Sequence, residues 1–238
     1  MNPGLGCVSE TELARPDSSE ICICSHEDMS TTSQPLDGIV WLDLTSLNRT
    51  ALNSVLTQRG LPPEVTTYFL LRYPSPKLIH AGPALFLVTF LTSPSLRHLF
   101  LARELKICVT PELVATICGP RRRGPSTTNP LLTLSLSPRP GSSGRFLQQL
   151  FNGALSSYEG VVKTLTKPAA DQAAEKTWGR RRIERLVCFL REQQTLVNVL
   201  IRDGRKVLSD EELVGFVQVQ QGIEQLARAA WEIGRQMP

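Results

Sequence analysis

The chain has 238 residues, 41% hydrophobic and 20% charged, with a mean hydropathy of -0.08 and a formal net charge of +4. That length supports a genuine core, and that balance is ordinary for a soluble globular protein. No window approaches the roughly 18 to 20 apolar residues a spanning helix requires, so a membrane helix is excluded from the expectations. The six cysteines (Cys7, Cys22, Cys24, Cys108, Cys118, Cys188) show no repeated spacing, and residues 1–30 lack a basic start and an apolar run. A secreted disulfide framework is therefore not expected, and a reducing, cytosolic setting is.

In chain order, residues 1–37 carry seven acids against one base, Arg15. They are rich in Ser, Thr and Pro and are predicted to be a disordered acidic tail. The remainder is basic, with four acids against eleven bases over 38–140 and eleven against fourteen over 141–238. This asymmetry favours anionic partners, or association of the body with its own tail. Residues 38–44, GIVWLDL, predict a strand. Ser46 is then expected to cap a short helix with Leu47, Ala51, Leu52, Val55 and Leu56 on its apolar face, ended by Gly60. Residues 61–77 open on two prolines, predict a short helix, and break at Pro74 and Pro76.

The stretch GPALFLVTFLTSP (82–94) predicts a strand over 84–91, stopped by Thr92-Ser93-Pro94. LRHLFLA (96–102) and LKICVT (105–110) predict two further adjacent strands. Residues 119–144 are loop-like at both ends, with LLTLSL alternating between as a short strand. From Arg145 the apolar period becomes helical through Phe146, Leu150, Tyr158 and Leu165, and Pro168 interrupts it. A long helix is predicted from Gln172 to Ile201. Another starts at Ser209, which has capping-box spacing to Glu212. Two antiparallel helices of about 28 residues would each reach roughly 40 Å at 1.5 Å per residue, so the hairpin is expected to project from the α/β part. The expected architecture is a mixed-sheet α/β/α sandwich over 38–166, followed by a long helical hairpin over 167–238.

Five segments in this order carry a family resemblance. WLDLTSLNRTALNSVLTQRGLPP resembles the opening strand–helix–GL.P segment of the cytoplasmic domain of CorA-type divalent-cation transporters, whose ZntB branch carries zinc. SPKLIHAGPALFLVTFL is similar to the family's stretch from RPK to an apolar strand, with Pro76 and Lys77 in the matching places. LFLARELKICVT resembles its strand–tight turn–strand, and GRFLQQLFNGALSSYEGVV its following helix, with Tyr158 at the matching tyrosine. The segment 172–236 resembles the family's long paired helices.

The resemblance implies a homopentamer with a cytoplasmic funnel, and a role in assembly and conformational regulation of Mg²⁺ or Zn²⁺ transport. In that family a stalk leads into two membrane helices and a Gly-Met-Asn pore motif, neither of which occurs here; the chain stops about where the stalk is expected to begin. The expected localisation is cytoplasmic, with a membrane reached only through a C-terminal region absent from this chain. The acid pair that follows the family's GL.P segment aligns onto Thr67 and Tyr68, and the acids of its next helix onto Asn152, Ser156 and Ser157. A hard cation wants oxygen ligands, so the family's divalent-sensing site cannot be carried over on these residues.

Other chemistry-bearing residues are few. Cys22, Cys24 and His26, in CICSH, offer soft ligands suited to Zn²⁺, although C-x-C-x-H is not a usual structural spacing and no second cluster completes it. Arg121, Arg122 and Arg123 in a loop could contact anions or lipid headgroups, and Arg180, Arg181, Arg182 and Arg185 could bind phosphates or form a solvated or inter-subunit helix face. No nucleic-acid module accompanies them. His80 and His98 have no nucleophile motif nearby, Cys108 and Cys118 have apolar or loop contexts, and Asp43 is expected to close the end of a strand. No enzyme and no bound cofactor is expected. The alternative to a transporter domain is a stand-alone soluble protein that binds anionic partners through its basic body.

Overall fold

A computed structural model describes residues 32–36, 39–95, 99–119, 141–165 and 180–236. Its centre is a six-stranded sheet in the order β1-β2-β6-β5-β4-β3. The strands are β1 (Thr32–Leu36), β2 (Ile39–Asp43), β3 (Lys77–Ala81), β4 (Ala84–Ser95), β5 (Leu99–Val109) and β6 (Leu113–Cys118). The pairing of β2 with β6 is parallel and the other four are antiparallel, which makes the sheet mixed as expected.

Helices cover both faces. Helices α1 (Arg49–Gln58) and α2 (Pro63–Leu70) lie on one side. Helices α3 (Ser143–Leu165), α4 (Arg180–Asp203) and α5 (Asp210–Gln236) lie on the other. The two cores split β4 by parity. Ala84, Phe86 and Val88 join Leu52, Leu56, Val65 and Phe69 beneath α1 and α2. Leu85, Leu87 and Leu91 join Leu150, Tyr158, Leu190 and Val197 beneath α3 and α4. Burial on both faces is why 84–91 reads as a continuous apolar run instead of an alternation.

Several expectations need correction. The tail does not stay unstructured to residue 37, because Thr32–Leu36 forms edge strand β1, a position that tolerates Pro35. The cap of α1 is Asn48, whose Oδ1 accepts from Ala51 N at 3.0 Å, and not Ser46; Asn48 sits three residues before that orphan amide. Strand β4 runs past Thr92-Ser93-Pro94 to Ser95. Its partner β3 pairs only as far as Val88, so from Thr89 onward β4 is an edge, where a proline is accommodated. The two strands expected over 96–110 are one, and the tight turn implied between them is absent. Arg103 and Glu104 stay in register opposite Leu91 and Phe90. Strands β3 and β6 had no counterpart among the predicted elements. The alternating segment 131–136, and residues 172–179 of the second long helix, lie outside the described residues.

The hairpin α4–α5 is anchored to the body instead of standing clear of it. Phe189 of α4 meets the rings of Phe90, Phe100 and Tyr158, and Gln193 accepts from Thr89 Oγ1 at 2.7 Å. Alongside α3, α5 packs where glycines allow close approach. A Cβ on Gly222 would stand 2.7 Å from Leu155 Cδ2.

The start of α5 is tied to the start of α3 through one carboxylate. Glu212 Oε2 accepts from Ser209 N at 2.7 Å and Ser209 Oγ at 3.0 Å, and Ser209 Oγ accepts in turn from Glu212 N, which completes the predicted capping box. Glu212 Oε1 accepts from Ser142 Oγ just ahead of α3. Burial pushes this carboxyl upward, but the hydrogen bonds from Ser142, Ser209 and Gly144 together outweigh it and hold the group below its usual 4.5. A carboxyl depressed in the folded state contributes stability above its unfolded pKa, and loses it as pH falls through the folded one. Glu212→Gln is therefore expected to cost about 1 kcal/mol at neutral pH and to flatten the decline in stability below pH 4.5, read from urea midpoints at pH 3 to 7.

Candidate functional site

An open cleft lined by charged and apolar side chains lies along α4. Its volume is about 570 Å³, and it lies between the outer face of α4 and Phe100 of β5. Arg181, Glu184, Arg185, Cys188 and Glu192 repeat at helical spacing along its wall, with Phe189 turned toward Phe100, ring centroids 5.3 Å apart. Glu184 is engaged by Arg180, Nε to Oε1 3.2 Å, an exposed pair worth little. The wall thus runs from two arginines, across an apolar floor, to Glu192.

Of the predicted site residues, the structure brings only Arg181 and Arg185 together at this cleft. Arg180 contributes indirectly through Glu184, and Arg182 is half-buried outside it. Cys22, Cys24, His26, Arg121, Arg122, Arg123 and His98 lie outside the described residues. Among the described residues no three His, Cys, Asp or Glu side chains are grouped so as to hold a metal ion. No helix among them is long and apolar enough to cross a membrane.

The positions expected from the resemblance to align with family acids have these surroundings. Thr67 is exposed, and the ring of Tyr68 lies 5.5 Å from that of Phe86. Asn152 and Ser156 point outward from α3. Ser157 Oγ accepts from Thr92 N at 3.1 Å and donates to Ala154 O at 2.6 Å, which fixes α3 on β4. Tyr158 OH donates to Phe90 O at 2.5 Å beside it, and full burial raises its pKa. Tyr158 therefore serves the core.

Several ionisable groups are buried without forming a site. Lys106 Nζ donates to Phe69 O at 2.7 Å and to Leu71 O, closing the C-terminal end of α2, and stands 3.5 Å from Glu104 Oε2. Burial lowers its pKa, while the Glu104 carboxylate pulls the other way. Burial pushes the Cys108 thiol up to about 12 and that of Cys118 up to about 11, so neither is a nucleophile near neutral pH. Asp43 Oδ1 accepts from Thr45 N at 3.1 Å and Thr45 Oγ1 at 2.6 Å, the strand-end role expected for it.

Sequence reasoning missed Phe100, Phe189, Cys188 and Glu192 as cleft residues. The 181-185-188-192 spacing was legible as one helix face, but nothing local could say that the end of β5 would lie across it.

No protein-family model and no curated protein matches the chain. Comparison with solved structures does find relatives in shape. The complete CorA magnesium transporter of Methanocaldococcus jannaschii superposes with a TM-score of 0.65 at 14% identity, over 84% of this chain and 68% of that one. The chain has the CorA soluble-domain fold. Full-length CmaX gives 0.63 at 14% identity, over 84% of this chain and 65% of CmaX, a little under two thirds of that protein's length. The ZntB cytoplasmic domain of Vibrio parahaemolyticus RIMD 2210633 gives 0.57 at 12% identity, over 85% and 87%. The two near-equal shares show that this chain and an isolated ZntB cytoplasmic domain have similar extents.

Proposed function

We propose that this chain is the cytoplasmic assembly and regulatory domain of a CorA-like metal-ion transporter, working at the cytoplasmic face of a membrane as a homo-oligomer. The observation that carries this is the fold similarity over 84–85% of the chain to proteins described as a magnesium transporter and as a ZntB cytoplasmic domain. The domain would act by packing against neighbouring copies and passing changes in that packing along α4 and α5.

Its divergence bears on how it would be controlled. Thr67, Tyr68, Asn152 and Ser156 supply no charged oxygen where the family's acids align, so divalent cations would not set the packing. Light scattering after gel filtration, across protein concentration and from zero to millimolar Mg²⁺ or Zn²⁺, tests both parts. A defined oligomer with the same midpoint of assembly with and without the metals is expected. A monomer at all concentrations would overturn the assembly reading, and a metal-dependent shift in mass would overturn the loss of sensing.

A further inference from the structure

The arginine end of the α4 cleft is unbalanced. Neither Arg181 nor Arg185 has an ion-pair partner among the described residues, and Glu184 beside them is engaged by Arg180. The apolar pair Phe100 and Phe189, ring centroids 5.3 Å apart, lines the same cleft. A complementary occupant must carry acids next to apolar side chains. Residues 1–31 hold six acids against one base, and one stretch of them, EICICSHED (20–28), sets Ile21 and Ile23 between Glu20 and the pair Glu27-Asp28.

The sheet topology puts that stretch within reach. Thr32 opposes Asp43, Asp43 aligns with Thr116, and Thr116 opposes Ile107. Thr32 is thus level with Ile107, near the finish of β5, and the chain preceding it leaves β1 in the direction of the end from which β5 starts, where Phe100 lies. Three strand spacings across and seven residues along β5 separate Thr32 from Phe100, a straight line of about 27 Å. About nine extended residues cover it. Nine residues before Thr32 is Ile23, the middle of the acidic–apolar stretch.

We propose that residues 20–28 occupy the α4 cleft of their own chain, with Ile21 and Ile23 on Phe100 and Phe189 and the flanking acids on Arg181 and Arg185. The contact covers the cleft's apolar floor and makes the acidic tail a salt-sensitive latch on the helical hairpin. Its electrostatic share is that of partly exposed charges and weakens as ionic strength rises.

The cysteines of the chain supply the test. Cys188 is exposed on the cleft wall, whereas Cys108 and Cys118 are buried. Cys22 and Cys24 lie within the proposed occupant, and Cys7 lies fifteen residues before Cys22 on the same tail. The full chain is oxidised briefly with copper–phenanthroline at low protein concentration and mapped by non-reducing peptide mass spectrometry. The expected product is an intramolecular disulfide from Cys188 to Cys22 or Cys24. Its yield should fall several-fold in Arg181→Glu/Arg185→Glu, and likewise in 0.5 M salt, at unchanged melting temperature. Cys7 joining Cys188 as readily as Cys22 would show a tether without a docked segment and would overturn the proposal. So would a yield indifferent to charge reversal, or cross-links found only between chains.

Discussion

Phe86→Asp is expected to abolish cooperative folding, and Val88→Asp to do the same. Both side chains are fully buried in β4, on the face covered by α1 and α2. The Phe86 ring meets Tyr68 at 5.5 Å, Phe69 at 5.1 Å and Tyr73 at 6.2 Å, so it is the hub around which α2 and its following turn are packed. Truncating such a ring to alanine costs about 3 to 5 kcal/mol, against a whole-domain stability of about 5 to 15. An aspartate adds a charge with no partner in a dry layer, which no rearrangement of apolar neighbours can satisfy. Thermal melts followed by circular dichroism, with Phe86→Leu as the volume-sparing control, check this. The control should melt a few degrees lower but cooperatively, whereas the two aspartate variants should show no transition or precipitate. Soluble aspartate variants that melt with the parent chain would place β4 outside the core.

Lys106→Ala is expected to cost about 3 kcal/mol, far more than an exposed lysine would. The side chain is 7% exposed and reaches from β5 to the end of α2, where it satisfies the carbonyls of Phe69 and Leu71. Removing it orphans both carbonyls and leaves Glu104, 16% exposed, without its cation, although Glu104 Oε1 still accepts from Tyr73 N at 2.8 Å. Lys106→Met keeps the stem but not the donors and should recover only part of the loss, the share that belongs to packing. Urea midpoints for Lys106→Ala, Glu104→Gln and the double variant give the coupling directly. A loss below about 0.5 kcal/mol in Lys106→Ala would mean that the lysine is not a buried cap but a solvated surface charge.

Much of this fold was legible locally. The helical period from Arg145, the Ser209–Glu212 capping box and the stop at Gly60, which adopts a φ of 68°, depend on neighbours within a few residues and came out as expected. The errors share a cause. Asn48 was overlooked beside Ser46 because both are good caps, and only the path of the chain selects the amide to be capped. Arg103-Glu104 looked like a turn because two adjacent charges seldom sit inside a strand. In the fold Glu104 is held by Tyr73 N and Lys106, partners 31 and two residues away. Pro94 looked like a terminator because nothing local told that β3 ends its pairing at Val88 and leaves an edge there.

The sequence by itself determined the mixed α/β class, the long paired helices and the doubly buried strand 84–91. These are properties of composition and of periods of two and 3.6, and none of them needs a third dimension. The tertiary structure alone decided that Lys106 closes α2, that Tyr158 OH donates to Phe90 O, and that Arg181 and Arg185 line a cleft with Phe100. Each joins residues 35 or more positions apart, through the pairing of β4 with β5 and the docking of α4 upon them. Such juxtapositions arise from long-range burial of apolar faces, which local patterns require but do not direct to a particular partner.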